Sequence, residues 1–325
     1  MIKEGIGLGT MFYGTGYGNG FPDVSKAEAV LRADGKVAVH TGATEVGQGA
    51  KTAMTQIACE VLGLKVNDII LISEDTSNMP DSGTAAASRQ TYNTGNAVKK
   101  TCEDLREKIK EEAKLKLNLN TDVGLKLKDG YVYVETLPEK SIALKDLAKD
   151  KSLKIKGSFT AQTTEMDPET GQGAPYWPYT FGACAVKVSV DTLTGEVNVL
   201  KAVFTQDVGR AINPSLVEGQ MDGGFSMALG YALLEDINVD NGKIKNDSFT
   251  NYLIPTSLDM IDIDNILIED PENTAPYGAK GVGEPVMIPV TPAILNAIYD
   301  AVKVRITEIP VTPSRVLKEL NKSKK

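Results

Sequence analysis

A mixed α/β fold in two subdomains, 1–157 and 158–325, is what this sequence predicts, and three observations lead there. The chain has 325 residues, enough for roughly two domains whose cores need no covalent staples. Short alternating apolar runs give way to glycine-rich loops and then to apolar residues at helical spacing, and the same order returns in the second half. Lysines cluster over 99–116 and 145–156 and thin out after Gly157, which sets the boundary between the halves.

Taken in order, the opening holds Gly5, Gly7, Gly9, Gly14, Gly16, Gly18 and Gly20 among Phe12, Tyr13, Tyr17 and Phe21. Glycine costs about 1 kcal/mol per helix-interior position, so residues 1–22 read as a loop or broken strand. Lys36–Thr41 alternates as a strand, Gly42–Gly49 forms a loop, and Ala50, Met54, Ile57, Ala58 and Val61 recur at helical spacing until Gly63 stops them. Ile69–Ser73 reads as a strand, Pro80–Arg89 as a second small-residue loop, and Tyr92–Lys114 as a long helix. Asp129-Gly130 between Leu125–Leu127 and Tyr131–Val134 signals a hairpin. Residues 141–157 read as a small lysine-rich helix and its exit.

After residue 157, Gly182–Val190 and Glu196–Phe204 pair around a turn at Gly195, and a polar loop, Gln206–Pro214, leads into a helix over Ser215–Leu234. Ile266–Ile268 is a strand, Pro276–Pro285 a third small-residue loop, Pro292–Val302 a helix, and Leu317–Lys325 a fraying helix with a basic tail. The halves thus read as a duplication of hairpin, loop and helix.

Composition narrows the function classes. Against 35 Lys+Arg stand 43 Asp+Glu, a net charge of −8. No basic run interleaved with aromatics appears, which argues against a nucleic-acid partner. Cys59, Cys102 and Cys184 lie far apart without CxxC spacing, and His40 is the single histidine. Neither a disulfide framework nor an iron–sulfur, zinc or histidine-rich site can be built from these, so any metal must be held by an organic ligand. The N-terminus has no apolar stretch ahead of a cleavage site, and no run of roughly 18 apolar residues is present. The expectation is a cytoplasmic protein with reduced thiols and no membrane partner.

The three small-residue loops are the candidate sites. Bare backbone lets a chain approach a bulky polyanionic ligand, and helix N-termini offer N–H groups, although glycine loops equally serve tight turns. In the first loop Gln48 stands where a nucleotide-triphosphate loop requires lysine, and Lys51 comes three places late. Nor do Gly5, Gly7 and Gly9 make the dinucleotide fingerprint. Gln48 offers an amide that donates and accepts at a helix mouth. In the third loop Glu284 follows Gly278, Ala279, Gly281 and Gly283 and precedes Pro285; it is either a solvated loop residue or a base held against a ligand.

Four segments then carry a resemblance: Gly42–Gly49 (GATEVGQG), Asp81–Arg89 (DSGTAAASR), Val217–Met221 (VEGQM) and Gly278–Glu284 (GAKGVGE). Their order and spacing resemble the molybdenum-binding subunit of the xanthine dehydrogenase and aldehyde oxidase family. The resemblance spans nearly the whole chain and the C-terminal half of that subunit. In layout the chain is similar to the nicotinate dehydrogenases, whose molybdopterin subunit is split into a large and a medium chain.

What the resemblance implies is specific. The fold would be two subdomains of a molybdenum-cofactor-binding domain, 1–157 carrying the Gly-rich opening and 158–325 the catalytic loop. The cofactor would be molybdenum–molybdopterin in the cytosine dinucleotide form of bacterial members, with no protein ligand to the metal and either a sulfido or a selenido terminal ligand. Glu284 matches the catalytic glutamate, the base that assists delivery of a water-derived oxygen to an electron-poor carbon while hydride passes to molybdenum. Ala86, Ala87 and Ser88 match the segment beside the metal. Gly47, Gln48, Gly49, Gln220, Gly281 and Gly283 match cofactor-contacting loops. Tyr13 faces the substrate or is a packed surface tyrosine; Arg89 and Arg210 pair with phosphate or substrate carboxylate, or form structural salt bridges. Partners would be a large molybdopterin subunit, an iron–sulfur subunit and an FAD subunit. The substrate would be a nicotinate-like N-heteroaromatic compound, with xanthine or another purine and then an aldehyde as alternatives, and a non-catalytic cofactor-binding scaffold as the reading from another class.

Overall fold

The computed structural model describes residues 1–18, 21–149 and 151–322; Gly20 of the glycine-rich opening and the last three residues of the basic tail lie outside them. In chain order the elements begin with β1 (Ile2–Gly14), β2 (Val24–Leu31), β3 (Val37–Thr41), α1 (Ala50–Leu62), β4 (Ile69–Ile72), α2 (Gly95–Lys116), β5 (Leu125–Lys128), β6 (Tyr131–Val134), β7 (Leu137–Ala143) and α3 (Leu144–Ala148). They continue with β8 (Leu153–Thr160), β9 (Tyr179–Asp191), β10 (Val197–Asp207), α4 (Pro214–Leu233), β11 (Val239–Asp240), β12 (Lys243–Ile244), β13 (Ile263–Ile268), α5 (Val290–Val302) and α6 (Pro313–Lys322).

Two compact units result: a first made of Met1–Tyr13, Tyr179–Asp270 and Val282–Lys325, and a second made of Gly14–Pro178 and Pro271–Gly281. These units differ from the division at residue 157. Gly157 lies inside β8, which pairs with β2 from Thr160 opposite Val24 to Leu153 opposite Leu31. The fall in lysine density there marks a change of surface, whereas a unit is defined by which strands share a core.

In the first unit the sheet order is β1-β9-β10-β13. Alternate residues of β9 and β10, among them Val186, Val188, Ala202 and Phe204, face Met221 and Phe225 of α4 and Ala293, Ile294 and Ala297 of α5 to form one apolar core. β1 joins this core with glycine. A Cβ on Gly5, Gly7 or Gly9 would run into the α5 backbone at Ala297 and Ala301, at Ala293 and Ala297, and at Pro289 respectively. The opening, expected to be a loop or broken strand, is therefore one continuous 13-residue strand. Its glycines recur every second residue, so all three fall on the face where a helix backbone lies too close for any side chain, and that packing outweighs glycine's weak strand preference. The segment Pro285–Val302 is apolar enough by length and composition to cross a membrane, with a mean hydropathy of 1.3, but 56% of it is buried; it supplies the core helix α5.

The second unit carries the sheet β4-β3-β2-β8 and the three-stranded β5-β6-β7. β5 and β6 turn at Asp129-Gly130 as expected. α2 lies along β2 and β8, and its Val98, Leu105 and Ile109 are buried. Both units share one connection pattern. An antiparallel hairpin (β2–β3; β9–β10) leads through a loop to a helix (α1; α4) and then to a strand parallel to the hairpin's second strand (β4; β13).

Candidate functional site

The first loop of the second unit is held from within. Gly49, left-handed at φ 85°, precedes α1. Amides near the start of α1 are engaged by the chain itself: Gly47 and Gly49 N–H donate to Glu45 Oε1 at 2.8 and 2.9 Å, and Lys51 N–H donates to Oε2 at 3.0 Å. Burial works to raise the Glu45 pKa, but the bonds from Gly49, Lys51 and Gly47 and the Lys51 charge outweigh it and hold the carboxyl below its ordinary range. The N–H groups that sequence reasoning assigned to a ligand thus already have an anion. Gln48 ties this loop to the next: its Oε1 accepts from Val46 N–H at 2.7 Å, and its Nε2 donates to Thr44 O at 2.9 Å and to Gln90 Oε1 at 2.8 Å. Gly47, with φ 104°, is exposed, and open space lies where a Cβ would point.

The second loop hangs from Arg89, which is 0% exposed. Its Nε donates to Asp23 Oδ1 at 2.5 Å, Nη1 to Ser82 O at 2.7 Å and Thr84 O at 3.3 Å, and Nη2 to Val24 O at 3.0 Å and Ser25 Oγ at 2.9 Å. Asp23 also accepts from Asn93 Nδ2 at 2.6 Å and Tyr17 N–H at 3.2 Å. A charge taken from water needs such a complete set of partners. Arg89 is therefore the structural ion pair among its two sequence readings, and its partner, 66 residues away, carried no local signal.

This anchor holds an unusual backbone. Ala87 and Ser88 are both left-handed, at φ 55° and 52°, a conformation that costs roughly 1–2 kcal/mol per non-glycine residue and persists only where its surroundings dictate it. Gly16 N–H donates to Ala87 O at 3.1 Å. Gly281 stands against Ser88, whose carbonyl oxygen occupies the place of a Cβ, so its bareness serves approach of chain to chain. One π-helical turn, Gln90–Thr94, then leads into α2. Within the second unit, then, Gln48, Ala87, Ser88 and Gly281 belong to one contiguous set of contacts, while Gly83, Thr84, Ala85 and Ala86 stay exposed beside it. A cavity of about 700 Å³ opens there, lined by Tyr17, Phe21, Asp81, Gly83 and Thr84.

The remaining candidates belong to the first unit. Glu284 is half-buried at the head of a short 3-10 turn, Pro285–Met287, with φ −74° and ψ −36°. Its carbonyl accepts from Met287 N–H at 3.2 Å. Pro285 and Val286 are buried, and Val286 fills the space a Cβ on Gly224 of α4 would take, its backbone carbon 3.0 Å from that point. Gln220 sits one helical turn before Gly224 and is half-buried. Gly283 is exposed, Tyr13 is half-buried near the end of β1, and Arg210 is exposed. The chain passes from the second unit to the first between Gly281 and Val282, so the third loop contributes Gly281 to one and Gly283 and Glu284 to the other.

Among the described residues no three His, Cys, Asp or Glu side chains gather into a metal-holding group. Exposed main chain is on offer at Gly47 and at Gly83–Ala86, the latter beside a cavity within the range of small-molecule sites. This set fits an organic cofactor that brings its own metal ligands.

The fold and these loops define a cofactor-binding α/β domain. Residues 1–261 match the family of molybdopterin cofactor-binding domains. The chain is 32% identical over 327 residues to the xanthine dehydrogenase molybdenum-binding subunit of Escherichia coli O157:H7, covering 98% of this chain and 42% of that one. It is also 32% identical over 323 residues to the aldehyde oxidoreductase of Megalodesulfovibrio gigas, covering 98% and 32%. Among solved structures, quinoline 2-oxidoreductase from Pseudomonas putida 86 superposes with a TM-score of 0.85 at 27% identity, covering 98% of this chain and 42% of that chain. The chain belongs to the xanthine dehydrogenase and aldehyde oxidase family of molybdenum hydroxylases, corresponding to the C-terminal part of the molybdenum-binding subunit. It spans less than half the length of these relatives.

Proposed function

We propose that this chain is the molybdopterin-binding part of a hydroxylase that acts on an N-heteroaromatic compound of the nicotinate type, with Glu284 as its catalytic base. The seating of Glu284 carries the reading: a half-buried carboxylate-bearing residue at the head of a turn whose next two residues are locked into the core. Such a side chain has a fixed origin and a short reach, which general base catalysis requires.

When bound, the molybdenum–pterin supplies the oxygen-transfer and two-electron chemistry. This chain's residues do the rest. Glu284 accepts a proton as the carbon–oxygen bond forms. The loops of Gly47, Gln48 and Gly49, with Gln220, Gly281 and Gly283, hold the cofactor's organic part. Ala86, Ala87 and Ser88 keep side-chain bulk low where a flat ring has to enter, and Tyr13 meets the substrate. The cofactor is the cytosine dinucleotide form, with sulfido or selenido at the metal. Electrons leave through an iron–sulfur subunit and an FAD subunit, a large molybdopterin chain completes the site, and the complex works in the cytoplasm.

Support for a heteroaromatic substrate comes from the relatives named for xanthine and quinoline, both nitrogen heterocycles. The relative named for aldehyde oxidation, equally identical at 32%, favours an aldehyde as the second reading. Turnover of nicotinate, xanthine and a simple aldehyde by the assembled complex separates these. Glu284→Gln in that complex should retain molybdenum by elemental analysis and lose turnover by about 10²–10⁴-fold; unchanged turnover with full metal overturns the assignment of the base.

A further inference from the structure

Among the described residues, the helices that pack on the four-stranded sheet of the first unit lie on one face. Inward residues of β9 and β10 enter the core with α4 and α5, and because strand side chains alternate, the even-numbered residues of β1 and the odd-numbered residues of β9 point the other way. That second face is apolar and uncovered: Ile6, Leu8 (57% exposed), Phe12 (64%) and Phe181 (55%), with Ile266 and Ile268 of β13 also exposed. Phe12 stacks on Tyr179 and Phe181 at ring-centroid distances of 4.8 and 5.1 Å. Across the sheet Ile266 lies opposite Thr205, and Thr205 opposite Ala183, so the small residues between the two apolar edges leave the surface flat. Charged pairs, Lys187 with Glu4 at 2.6 Å and Lys201 with Asp264 at 2.9 Å, border it. An apolar, aromatic centre with a polar border is how a protein–protein interface is built, and contiguous patches of this kind on monomers mark binding surfaces.

The proposed large molybdopterin chain is the occupant that the length of the relatives favours. The chain matches 98% of itself to 42% of a relative, and the matched part is the C-terminal one. β1 is an edge strand of this sheet and carries Ile6, Leu8 and Phe12. We infer that the open face of β1-β9-β10-β13 is the docking surface for a second polypeptide, the separate chain that supplies the other part of the family's molybdenum-binding subunit, through apolar side chains of its own. This inference rests on the proposed partner and adds the place where it binds.

The test uses the complex as purified from its source through a tag on this chain, with mass spectrometry to identify the co-purifying chain by its family. The wild-type chain should bring down a polypeptide matching the unmatched part of the relatives. The pair Leu8→Lys and Phe12→Lys should reduce its recovery at least tenfold while the circular dichroism of the chain stays that of the folded wild type, since both side chains are solvent-exposed and only the ring contacts of Phe12 are lost. Leu258→Lys, at a residue 95% exposed elsewhere in the same unit, should leave recovery intact. Wild-type recovery by the double variant, an equal loss from Leu258→Lys, absence of such a polypeptide from the wild-type preparation, or a homodimer of this chain alone that the double variant dissolves would each overturn the inference. Molybdenum content reports on the cofactor separately: a two-chain complex without molybdenum leaves this surface standing, whereas a molybdenum-loaded complex formed by the double variant removes it and leaves the cofactor reading intact.

Discussion

In the second unit the loop Asp81–Arg89 hangs from a buried guanidinium with five hydrogen bonds to four residues of its surroundings and an aspartate at its centre, whereas in the first unit Glu284 is seated by Val286 against the bare backbone of Gly224. The two anchors solve one problem with opposite physics. A polar anchor is directional: it can fix Ala87 and Ser88 in left-handed conformations, because each hydrogen bond constrains an angle as well as a distance. An apolar anchor fixes position through close packing: with Pro285 and Val286 buried, the backbone of Glu284 just ahead of them has a set place. The loop beside the cavity has the first kind, and the loop that carries Glu284 has the second.

Removing the polar anchor should have the largest effect. Arg89→Met leaves Asp23 buried without its cationic partner, a loss of about 3–5 kcal/mol, measurable as a fall in the denaturant midpoint. Because the deficit is an unpaired charge, Asp23→Asn in the same chain should recover part of it. A double variant no more stable than Arg89→Met would mean that Arg89 acts through packing, and the contrast between the anchors would collapse.

The apolar anchor is tested by Gly224→Ala, where the added methyl meets Val286. Overpacking of this sort costs about 1–3 kcal/mol, and since Glu284 stands two residues before Val286, turnover of the assembled complex should fall by more than the fraction of chain unfolded. Gly242→Ala, in the turn between β11 and β12 of the same unit, makes the control. Open space surrounds the new methyl there, so only the strain of φ 79° remains, about 1 kcal/mol, with no directional effect on Glu284. Equal losses of turnover from both would remove Gly224 as a positioning residue.

Much of this was legible from residues. Helix α1 was expected to end before Gly63 and does, at Leu62 with Gly63 left-handed; α4 and α5 begin within two residues of their expected starts, because caps and apolar spacing are local. The hairpin at Asp129-Gly130 declares itself by its turn. What stayed hidden depends on distant chain. β1 reads as a loop or broken strand because the reason for glycine at every second position is a helix almost 300 residues later. That spacing of two was the available signal. The partnership of Arg89 with Asp23, the engagement of Gln48 with Gln90, and the closeness of Gly281 to Ser88 join segments that no period or motif links. The order and spacing of the four loop segments pointed to the family while saying nothing of these contacts.

The smallest effect separates the two helix starts that follow the repeated hairpins. α4 begins in the ordinary way: Asn213 accepts from Leu216 N–H at 3.1 Å and Pro214 takes the first helical position. α1 instead borrows the carboxylate of Glu45, four residues before the Gly49 cap. An amide cap does not titrate, but a carboxylate does. The folded-state pKa of Glu45 lies below its unfolded value, so its contribution is fully present above the unfolded carboxyl range near 4.3 and is lost as pH falls through the lower folded value. Glu45→Gln should therefore cost about 1 kcal/mol at neutral pH, and the gap in Tm between wild type and variant should close as pH drops from 6 toward 3. The same titration applied to Asn213→Ala should show a gap of similar size that does not change with pH. If the Glu45 gap persists undiminished in acid, the carboxylate's charge contributes nothing to the start of α1 and the two helix starts are equivalent after all.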